Sequence, residues 1–307
     1  MFRTRWVVIL LTVYVMLLDA GELAAAFEFP IHMADTLGRQ VTIKTLPQRI
    51  VSLAPSNTER LFAVGAWHAV VGVTTVDTYP PEVATVHKVG GFVPKSLSLE
   101  TIVSLKPDLV LAAGELQRPT IEALERIGLT VVAIEDPSSF DEVYTDITLV
   151  GRLTGHGPEA RRVVEEIQAR MQRVRQAVVT LPQEKRVTVF YEVYDAPLMT
   201  VGHSTILGQL LEMAGGINVF ANLGGRYPQV SSEEVVRRNP SCILGHTGYQ
   251  LALTPAQISQ RPGWNSMTAV RQNCIRLLNG DMVARPGPRL AEALEAITRA
   301  LYPDLLP

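Results

Sequence analysis

The sequence lacks the short motifs that mark most enzyme families. It contains no GxSxG, HExxH, P-loop, GxGxxG or CxxC pattern, so the common hydrolase, metalloprotease, nucleotide-binding and thiol-redox sites are not indicated. The six histidines are scattered, without the spacing of metal ligands. Gly202-His203-Ser204 places a histidine beside a serine, but neighbours in sequence do not form a nucleophile–base pair, and a turn is predicted there. No enzymatic activity, resident cofactor or protein-bound metal is therefore expected.

The chain also lacks an excess of charge of either sign. Its 28 Lys and Arg residues nearly balance its 30 Asp and Glu residues, for a formal net charge of -2. Such a balance gives no electrostatic reason to expect nucleic acid as a partner. Hydrophobic residues make up 47% of the 307 positions, which is enough for a large core and argues against disorder. A chain of this length predicts two lobes.

Cysteine is nearly absent. The two cysteines, Cys242 and Cys274, are too few and too far apart for a metal motif. An oxidising compartment would allow a disulfide between them, while their apolar surroundings suit buried free thiols equally well. The sequence leaves both possibilities open.

A long hydrophobic run occurs at the N-terminus. Arg3 and Arg5 precede an apolar run from Trp6 to Leu18, and small residues follow up to Ala26. This order is that of a secretory signal, which predicts cleavage near Ala26. Thirteen residues would span about 20 Å as helix, short of the roughly 30 Å of a bilayer core, so a retained anchor is disfavoured. No cysteine lies near the cleavage point for lipid attachment, and a soluble periplasmic protein is expected.

Short apolar runs alternate with helical segments through the rest of the chain. Strands are predicted at 49–53, 70–73, 109–112, 130–134, 187–191, 242–244 and 274–278, and helices at 59–64, 97–105, 121–127, 206–214, 232–238 and 289–301. This alternation is typical of parallel sheets covered on both faces. The predicted fold class is therefore α/β, with two Rossmann-like lobes.

One long helix is predicted between the two halves. Apolar residues repeat at spacings of four and three from Ala160 to Val178, Pro158 suits a first helical position, and Pro182 marks the exit. Residues 158–180 would form a helix of about 34 Å. Its position midway along the chain favours a strut joining the lobes over an ordinary surface helix.

An internal repeat supports two related lobes. SLETIVSLKP, starting at Ser98, recurs as SSEEVVRRNP, starting at Ser231, with Ser, Glu, Val and Pro matched at a constant offset of 133 positions. In each copy a serine is placed to cap a helix, a proline ends the helix, and an apolar strand follows.

Several segments resemble the vitamin B12 and iron-siderophore periplasmic binding proteins. They are RIVSLAPSNTE from Arg49, VGV from Val71, YPP from Tyr79, VGGF from Val89, LSLETIVSLKPDLVL from Leu97, YPQVS from Tyr227 and RPGPR from Arg285. Each segment alone is a weak signal, but their order along nearly the whole predicted mature chain makes the resemblance strong. The resemblance implies two α/β lobes joined by one backbone helix, with a ligand held between them. The implied organisation is a signal peptide at 1–26, an N-terminal lobe at 27–156, a linking helix at 157–181 and a C-terminal lobe at 182–307.

The same resemblance implies ligand contacts. Tyr227, Asp281 and Arg285 fall on positions that face the ligand in the vitamin B12 proteins, whereas Val76, Ala113 and Glu192 stand near places where those proteins have aromatic contacts. Tyr79, Phe92, Tyr191 and Tyr194 are candidates to replace them. His246 follows a predicted strand, and the carboxyl ends of parallel strands are where α/β folds bind ligands, so it is expected to line the ligand cleft or to cap a loop rather than to bind a metal.

Glu100 and Glu233 match the glutamates with which the vitamin B12 proteins contact arginines of the membrane permease. Each is predicted in the first turn of a helix, where a carboxylate also stabilises the helix without any partner. Their matched placement, one per lobe, favours permease docking.

The implied function is that of an extracytoplasmic substrate-binding protein of an ABC importer. A monomer is expected to capture a metal-chelate small molecule, a cobalt corrinoid such as vitamin B12, and to deliver it to a permease and its ATPase. A ferric siderophore or haem is the alternative cargo. An enzyme on a related two-lobed fold, such as a chelatase or nitrogenase-like subunit, and a surface adhesin or sensor are less favoured alternatives.

Overall fold

The computed structural model describes residues 29–248 and 254–306. The predicted secretory signal and its cleavage point near Ala26 lie outside the described residues. The described chain divides into two units. The first holds the residues up to Asp77 with Glu82–Glu135 and Thr148–Arg161, and the second holds Thr78–Pro81, Asp136–Ile147 and the residues from Arg162 onward. Thr78–Pro81 therefore packs with the C-terminal half although it lies in the N-terminal half of the sequence.

The first unit contains a five-stranded parallel sheet and a small antiparallel hairpin. Its strands are β1 (Ile31–Ala34), β2 (Gln40–Ile43), β3 (Ile50–Ser52), β4 (Val70–Val73), β5 (His87–Lys88), β6 (Leu109–Ala113) and β7 (Val131–Ile134). The parallel sheet has the order β5-β4-β3-β6-β7, and β1 pairs only with β2. Val51, Val110 and Val132 are fully buried, as expected for strands covered on both faces.

The second unit contains a four-stranded parallel sheet. Its strands are β8 (Thr188–Tyr191), β9 (Ile217–Asn218), β10 (Cys242–Thr247) and β11 (Ile275–Asn279), in the order β11-β10-β8-β9. Cys242 and Cys274 form a disulfide with their Cα atoms 4.8 Å apart, which resolves the choice that the sequence left open. The bridge joins the starts of the two neighbouring strands β10 and β11.

Helices connect the strands in both units. They are α1 (Pro55–Ala63), α2 (Leu99–Ser104), α3 (Arg118–Arg126), α4 (Phe140–Leu153), α5 (Gly157–Val179), α6 (Ile206–Met213), α7 (Ser232–Arg238), α8 (Pro255–Ser259), α9 (Thr268–Arg271), α10 (Gly280–Val283) and α11 (Leu290–Leu301). The α/β class with parallel sheets and a long helix is confirmed, because α5 has 23 residues and spans about 34 Å. Among the described residues, no helix has both the length and the apolar character needed to cross a membrane.

Several predicted bounds differ from the structure by one to four residues, and three of these differences have a clear local reason. Helix α1 begins at Pro55 rather than Glu59, because proline fits the first helical position, where no N–H is needed. Helix α2 begins at Leu99 rather than Leu97, because Ser98 caps it. Strand β10 continues past Leu244 to Thr247, because its pairing with β11 continues to Asn279.

The internal repeat is reproduced in the backbone. The hydroxyls of Ser98 and Ser231 each accept a hydrogen bond of 3.2 Å from the main-chain N–H three residues later. Lys106 and Asn239, the residues before the two prolines, adopt left-handed φ values of 47° and 45°. Strands β6 and β10 then begin at matched positions. The predicted cap, stop and strand are therefore present in both units.

Candidate functional site

Three neighbouring strands of the second sheet end at the same edge. Glu192 follows β8, Thr247 ends β10, and Asp281 comes two residues after the end of β11. Because parallel strands place their carboxyl ends together, the side chains that follow them converge at this edge, where α/β folds bind ligands. The carboxyl edge of the second sheet is therefore the candidate site in this unit.

Asp281 is held at this edge by two donors. The Asn279 side chain caps helix α10 by accepting from the N–H of Met282 at 3.2 Å, which places Asp281 in the first turn. Its carboxylate accepts from Arg285 at 2.8 Å and from the Thr78 hydroxyl at 2.5 Å. Arg285 also donates to the Thr78 hydroxyl at 3.0 Å. The three side chains form a closed ring of hydrogen bonds.

Tyr79 and Arg289 complete this cluster. The Arg289 guanidinium lies 4.2 Å from the centroid of the Tyr79 ring, within the range of a cation–π contact, and donates to the main-chain carbonyl of Asp281 at 2.8 Å. Arg285 and Arg289 are both buried, whereas Tyr79 is half-buried. We call Thr78, Tyr79, Asp281, Arg285 and Arg289 the edge cluster. The sequence predicted three of its members and missed Thr78, which directly precedes the YPP segment, and Arg289, which is the last residue of the RPGPR segment.

Tyr191 and His246 lie within strands β8 and β10, close to this edge. Both are buried. Their rings stack with centroids 6.1 Å apart, and the Tyr191 hydroxyl lies 3.4 Å from His246 Nδ1. Burial lowers the pKa of His246 and, with a smaller effect of Tyr227, raises that of Tyr191, so both side chains are neutral near pH 7. His246 was expected to follow a strand that ends at Leu244; the strand is longer, so His246 lies inside β10 and pairs with Leu278 of β11.

The remaining aromatic candidates differ in exposure. Tyr227 is 44% exposed and Tyr194 is 40% exposed, both in the second unit. Phe92 belongs to the first unit and is half-buried; its main-chain carbonyl accepts from Gln117 at 2.7 Å. Gln117 also binds the main chain of Leu53 and Ala113, so the buried amide fixes the backbone at Phe92.

A second charged cluster, missed by sequence reasoning, lies at the end of β8. Arg261 donates to both carboxylate oxygens of Glu192 at 2.6 and 2.7 Å and to Asp195 at 2.6 Å. Its guanidinium lies 4.5 Å from the Trp264 ring centroid. Glu192 is only 2% exposed, and burial raises its pKa while Arg261 opposes that rise. The signal that could have indicated this cluster is a glutamate directly after an apolar strand.

Glu100 and Glu233 occupy matched, exposed positions on α2 and α7. Neither carboxylate forms an ion pair with another described residue. The N–H of Glu233 and the Ser231 hydroxyl lower the pKa of Glu233. Its neighbour Glu234, by contrast, pairs with Arg237 and Arg238. In the parts of the chain that the structure describes, no group of three side chains is placed to hold a metal ion.

Comparisons with known proteins agree with this architecture. The family model for periplasmic binding proteins matches residues 50–282. An uncharacterised substrate-binding lipoprotein of an ABC transporter from Bacillus subtilis, YvrC, is 35% identical over 90% of this chain and 87% of its own. A cobalamin-binding protein from Halobacterium salinarum is 30% identical over 90% of this chain and 75% of its own.

A solved structure extends the likeness to three dimensions. The periplasmic haem-binding protein RhuT from Roseiflexus, in its apo form, superposes with a TM-score of 0.74 at 28% identity. The match covers 84% of this chain and 99% of that one. Proteins named for cobalamin and for haem therefore share the fold described here.

Proposed function

Because this chain belongs to the periplasmic binding protein family, we propose that it is the extracytoplasmic substrate-binding protein of an ABC importer, with a corrinoid as its cargo. The role is binding and delivery, with no covalent chemistry. Release to the transporter depends on a difference in affinity between the free and the docked protein. We infer that the protein acts as a monomer, with a permease and its ATPase as partners.

Support for a corrinoid comes from the cobalamin-binding relative, which is aligned with 90% of this chain. The haem-binding structural neighbour supports the alternative, a haem or ferric chelate. Corrinoids and haem are both large, flat macrocyclic metal chelates, and a flat ligand face suits an aromatic wall in the binding site. The metal in each is part of the cargo rather than a resident of the protein.

The observation that carries the site assignment is the edge cluster. The aromatic side chain of this cluster, Tyr79, is only half-buried. Next to it in the chain is Thr78, which is hydrogen-bonded to Asp281 and Arg285. We propose that Tyr79 and the exposed Tyr227 contact the cargo face and that Asp281 and Arg285 contact its polar rim. Tyr191 and His246 are buried, so we propose that they support the cargo-contacting residues from the protein interior and do not touch the cargo. Phe92, in the first unit, stays a predicted contact.

Glu100 and Glu233 are proposed to dock the protein on the permease. Both are exposed first-turn carboxylates without an ion-pair partner among the described residues, and a permease arginine is the complementary group. An exposed pair contributes little, but one that is partly desolvated at an interface contributes more.

We propose that the protein is exported by its N-terminal signal, which is then cleaved near Ala26. One relative is named a lipoprotein, whereas no cysteine stands near the predicted cleavage point of this chain. N-terminal sequencing of the exported protein should find Phe27 at or near its start. Recovery of an intact Met1 would contradict the cleavage.

The cargo is tested by titrating the purified protein with cobalamin, haem and a ferric siderophore, followed by visible absorbance and calorimetry. We expect saturable binding of cobalamin at one site and weaker or no binding of the other two. Preferential binding of haem or of the siderophore would replace the corrinoid. Binding of none would overturn the cargo class.

The docking role is tested with Glu100→Ala/Glu233→Ala in a transport assay with the reconstituted permease and ATPase. We expect strongly reduced uptake and cargo affinity within about 0.5 kcal/mol of the unaltered protein, as for surface substitutions. Glu122→Ala/Glu184→Ala, which removes one exposed glutamate from each unit, is the matched control. Normal uptake by the double variant, or loss of cargo binding in solution, would refute the docking assignment.

A further inference from the structure

Helices α2 and α7, which carry Glu100 and Glu233, have the same backbone conformation but present different surfaces. Ile102 of α2 and Val235 of α7 occupy matched positions and are both fully buried. Each helix is capped by its serine at 3.2 Å. The residues beside the docking glutamates therefore occupy corresponding positions on two equivalent helices, and their differences are differences of side chain alone.

On α2 the glutamate is flanked by exposed apolar side chains. Leu99 is 39% exposed and Val103 is 42% exposed. They are four residues apart, so they lie on one face of the helix, and Glu100 lies next to Leu99. The end of the helix is also fixed, because Arg49 donates twice to the carbonyl of Leu105, at 2.9 and 2.7 Å. The first unit thus presents a rigid apolar patch with a carboxylate at its margin.

On α7 the matched positions are covered or polar. Ser232, which corresponds to Leu99, accepts a hydrogen bond of 2.6 Å from the indole N–H of Trp264. Val236, which corresponds to Val103, is partly buried against the core of the second unit. The residue after Glu233 is Glu234, which forms an ion pair with the exposed Arg237. The second unit thus presents a polar surface around its docking glutamate.

We propose that the permease binds the first unit through an apolar contact centred on Leu99 and Val103 and binds the second unit through a polar contact centred on Glu233. This inference rests on the proposed function, because it assumes that α2 and α7 meet the permease. The occupant on α2 is a permease surface with a basic group for Glu100 and apolar side chains for the two aliphatic residues. Burial of exposed aliphatic side chains is favourable and insensitive to salt, whereas exposed ion pairs are screened by salt.

The test compares the binding of four proteins to the permease–ATPase complex in lipid nanodiscs by surface plasmon resonance, at low and high salt. Leu99→Ser/Val103→Ser is expected to weaken binding about tenfold, corresponding to about 1.4 kcal/mol, and to make the remaining binding more sensitive to salt. Glu100→Ala/Glu233→Ala is expected to weaken binding and to reduce its salt dependence. Ile127→Ser, which removes another exposed apolar side chain of the first unit, is the matched control and should bind as the unaltered protein does.

The outcomes separate this inference from the function on which it rests. If the aliphatic double variant binds normally while the glutamate double variant binds weakly, docking stands and the apolar contact is refuted. If Ile127→Ser weakens binding as much as the aliphatic variant does, a specific patch on α2 is also refuted. If neither double variant changes binding, both the inference and the docking role fail. Unchanged cargo titrations verify that each variant is folded.

Discussion

Arg285 and Asp281 form an ion pair across 2.8 Å at the carboxyl edge of the second sheet, and the Arg285 side chain is only 5% exposed. Thr78 joins the two residues, donating to the carboxylate and accepting from the guanidinium. A threonine more than two hundred positions earlier in the chain thereby becomes part of the same hydrogen-bonded ring. The ring combines a structural role with the proposed role in cargo contact.

Arg285→Ala should therefore affect both stability and binding. Removing one member of a largely buried ion pair leaves its partner without compensation. We expect a loss of about 2 kcal/mol in the free energy of unfolding, since Asp281 keeps its bond from Thr78, and a loss of roughly 1–3 kcal/mol in cargo affinity. Urea unfolding and calorimetry measure the two effects. Arg299→Ala, which removes an exposed arginine 3.7 Å from Glu295, is the control and should change neither quantity measurably.

Arg261→Ala should make stability depend more strongly on the ionisation of Glu192. Burial raises the pKa of this carboxyl above its unfolded value. At a pH between the two pKa values, the folded state therefore holds a proton that the unfolded state has released. Stability therefore falls as the pH rises through the window between the two pKa values. Without Arg261 the folded-state pKa of Glu192 rises further, so this pH window extends to higher pH. We therefore expect a destabilisation of about 3 kcal/mol at pH 7 that is smaller near pH 5.

Urea unfolding across this pH range measures the effect of Arg261→Ala. Glu192→Gln in the same background removes the buried charge and is expected to restore part of the stability at pH 7. An Arg261→Ala protein with the same loss at pH 5 and pH 7 would contradict this account.

The Tyr191–His246 pair should make the protein less stable in mild acid. Burial lowers the pKa of His246 from its usual value near 6.5, so the unfolded state takes up a proton before the folded state does. Stability is then lost as the pH falls below about 6.5, with a slope of up to about 1.4 kcal/mol per pH unit for one proton. His246→Phe keeps a ring against Tyr191 and should flatten this slope. His87→Gln, at an exposed position, should leave the slope due to His246 in place.

The two left-handed residues before proline predict opposite effects of exchanging them. Lys106 adopts a left-handed φ of 47°. This conformation has a steric cost for lysine that is smaller for asparagine. Lys106→Asn should therefore raise the free energy of unfolding by about 0.5 kcal/mol. Asn239→Lys should lower it by more than that, because the Asn239 side chain also accepts from the N–H of Thr268 at 2.8 Å. Thermal unfolding of the two variants measures both effects, and equal signs would contradict the argument.

The fold was predictable where local chemistry and periodicity agree. Helix α7 has the bounds 232–238 that the sequence indicates, because a serine cap and a proline stop delimit it. Helix α4 was missed, although Val143, Ile147, Val150 and Leu153 are all buried at helical spacings. Its threonines and Gly151 have low helix propensity, and only packing of the apolar stripe makes the segment helical. The hairpin β1–β2 was missed for a related reason, since four-residue strands carry little periodicity.

The site was predictable only where the family resemblance points to individual residues. Tyr79, Asp281 and Arg285 were indicated in this way, each by its place in the resemblance. Thr78 reaches Asp281 and Arg285 only because Thr78–Pro81 packs with the second unit, which no local pattern encodes. The same holds for Arg261 and Glu192, which are 69 positions apart in the chain and are joined only by tertiary packing.

The repeat in α2 and α7 also keeps its backbone conformation where its side chains differ. At the position before each proline the side chain has changed from a lysine to an asparagine, yet the φ values differ by only two degrees. Leu109 and Cys242 likewise begin matched strands, although only the cysteine is cross-linked. Besides their four identical residues, the two copies therefore share a torsion angle and the start of a strand. At these positions the backbones of the two copies agree more closely than their side chains do.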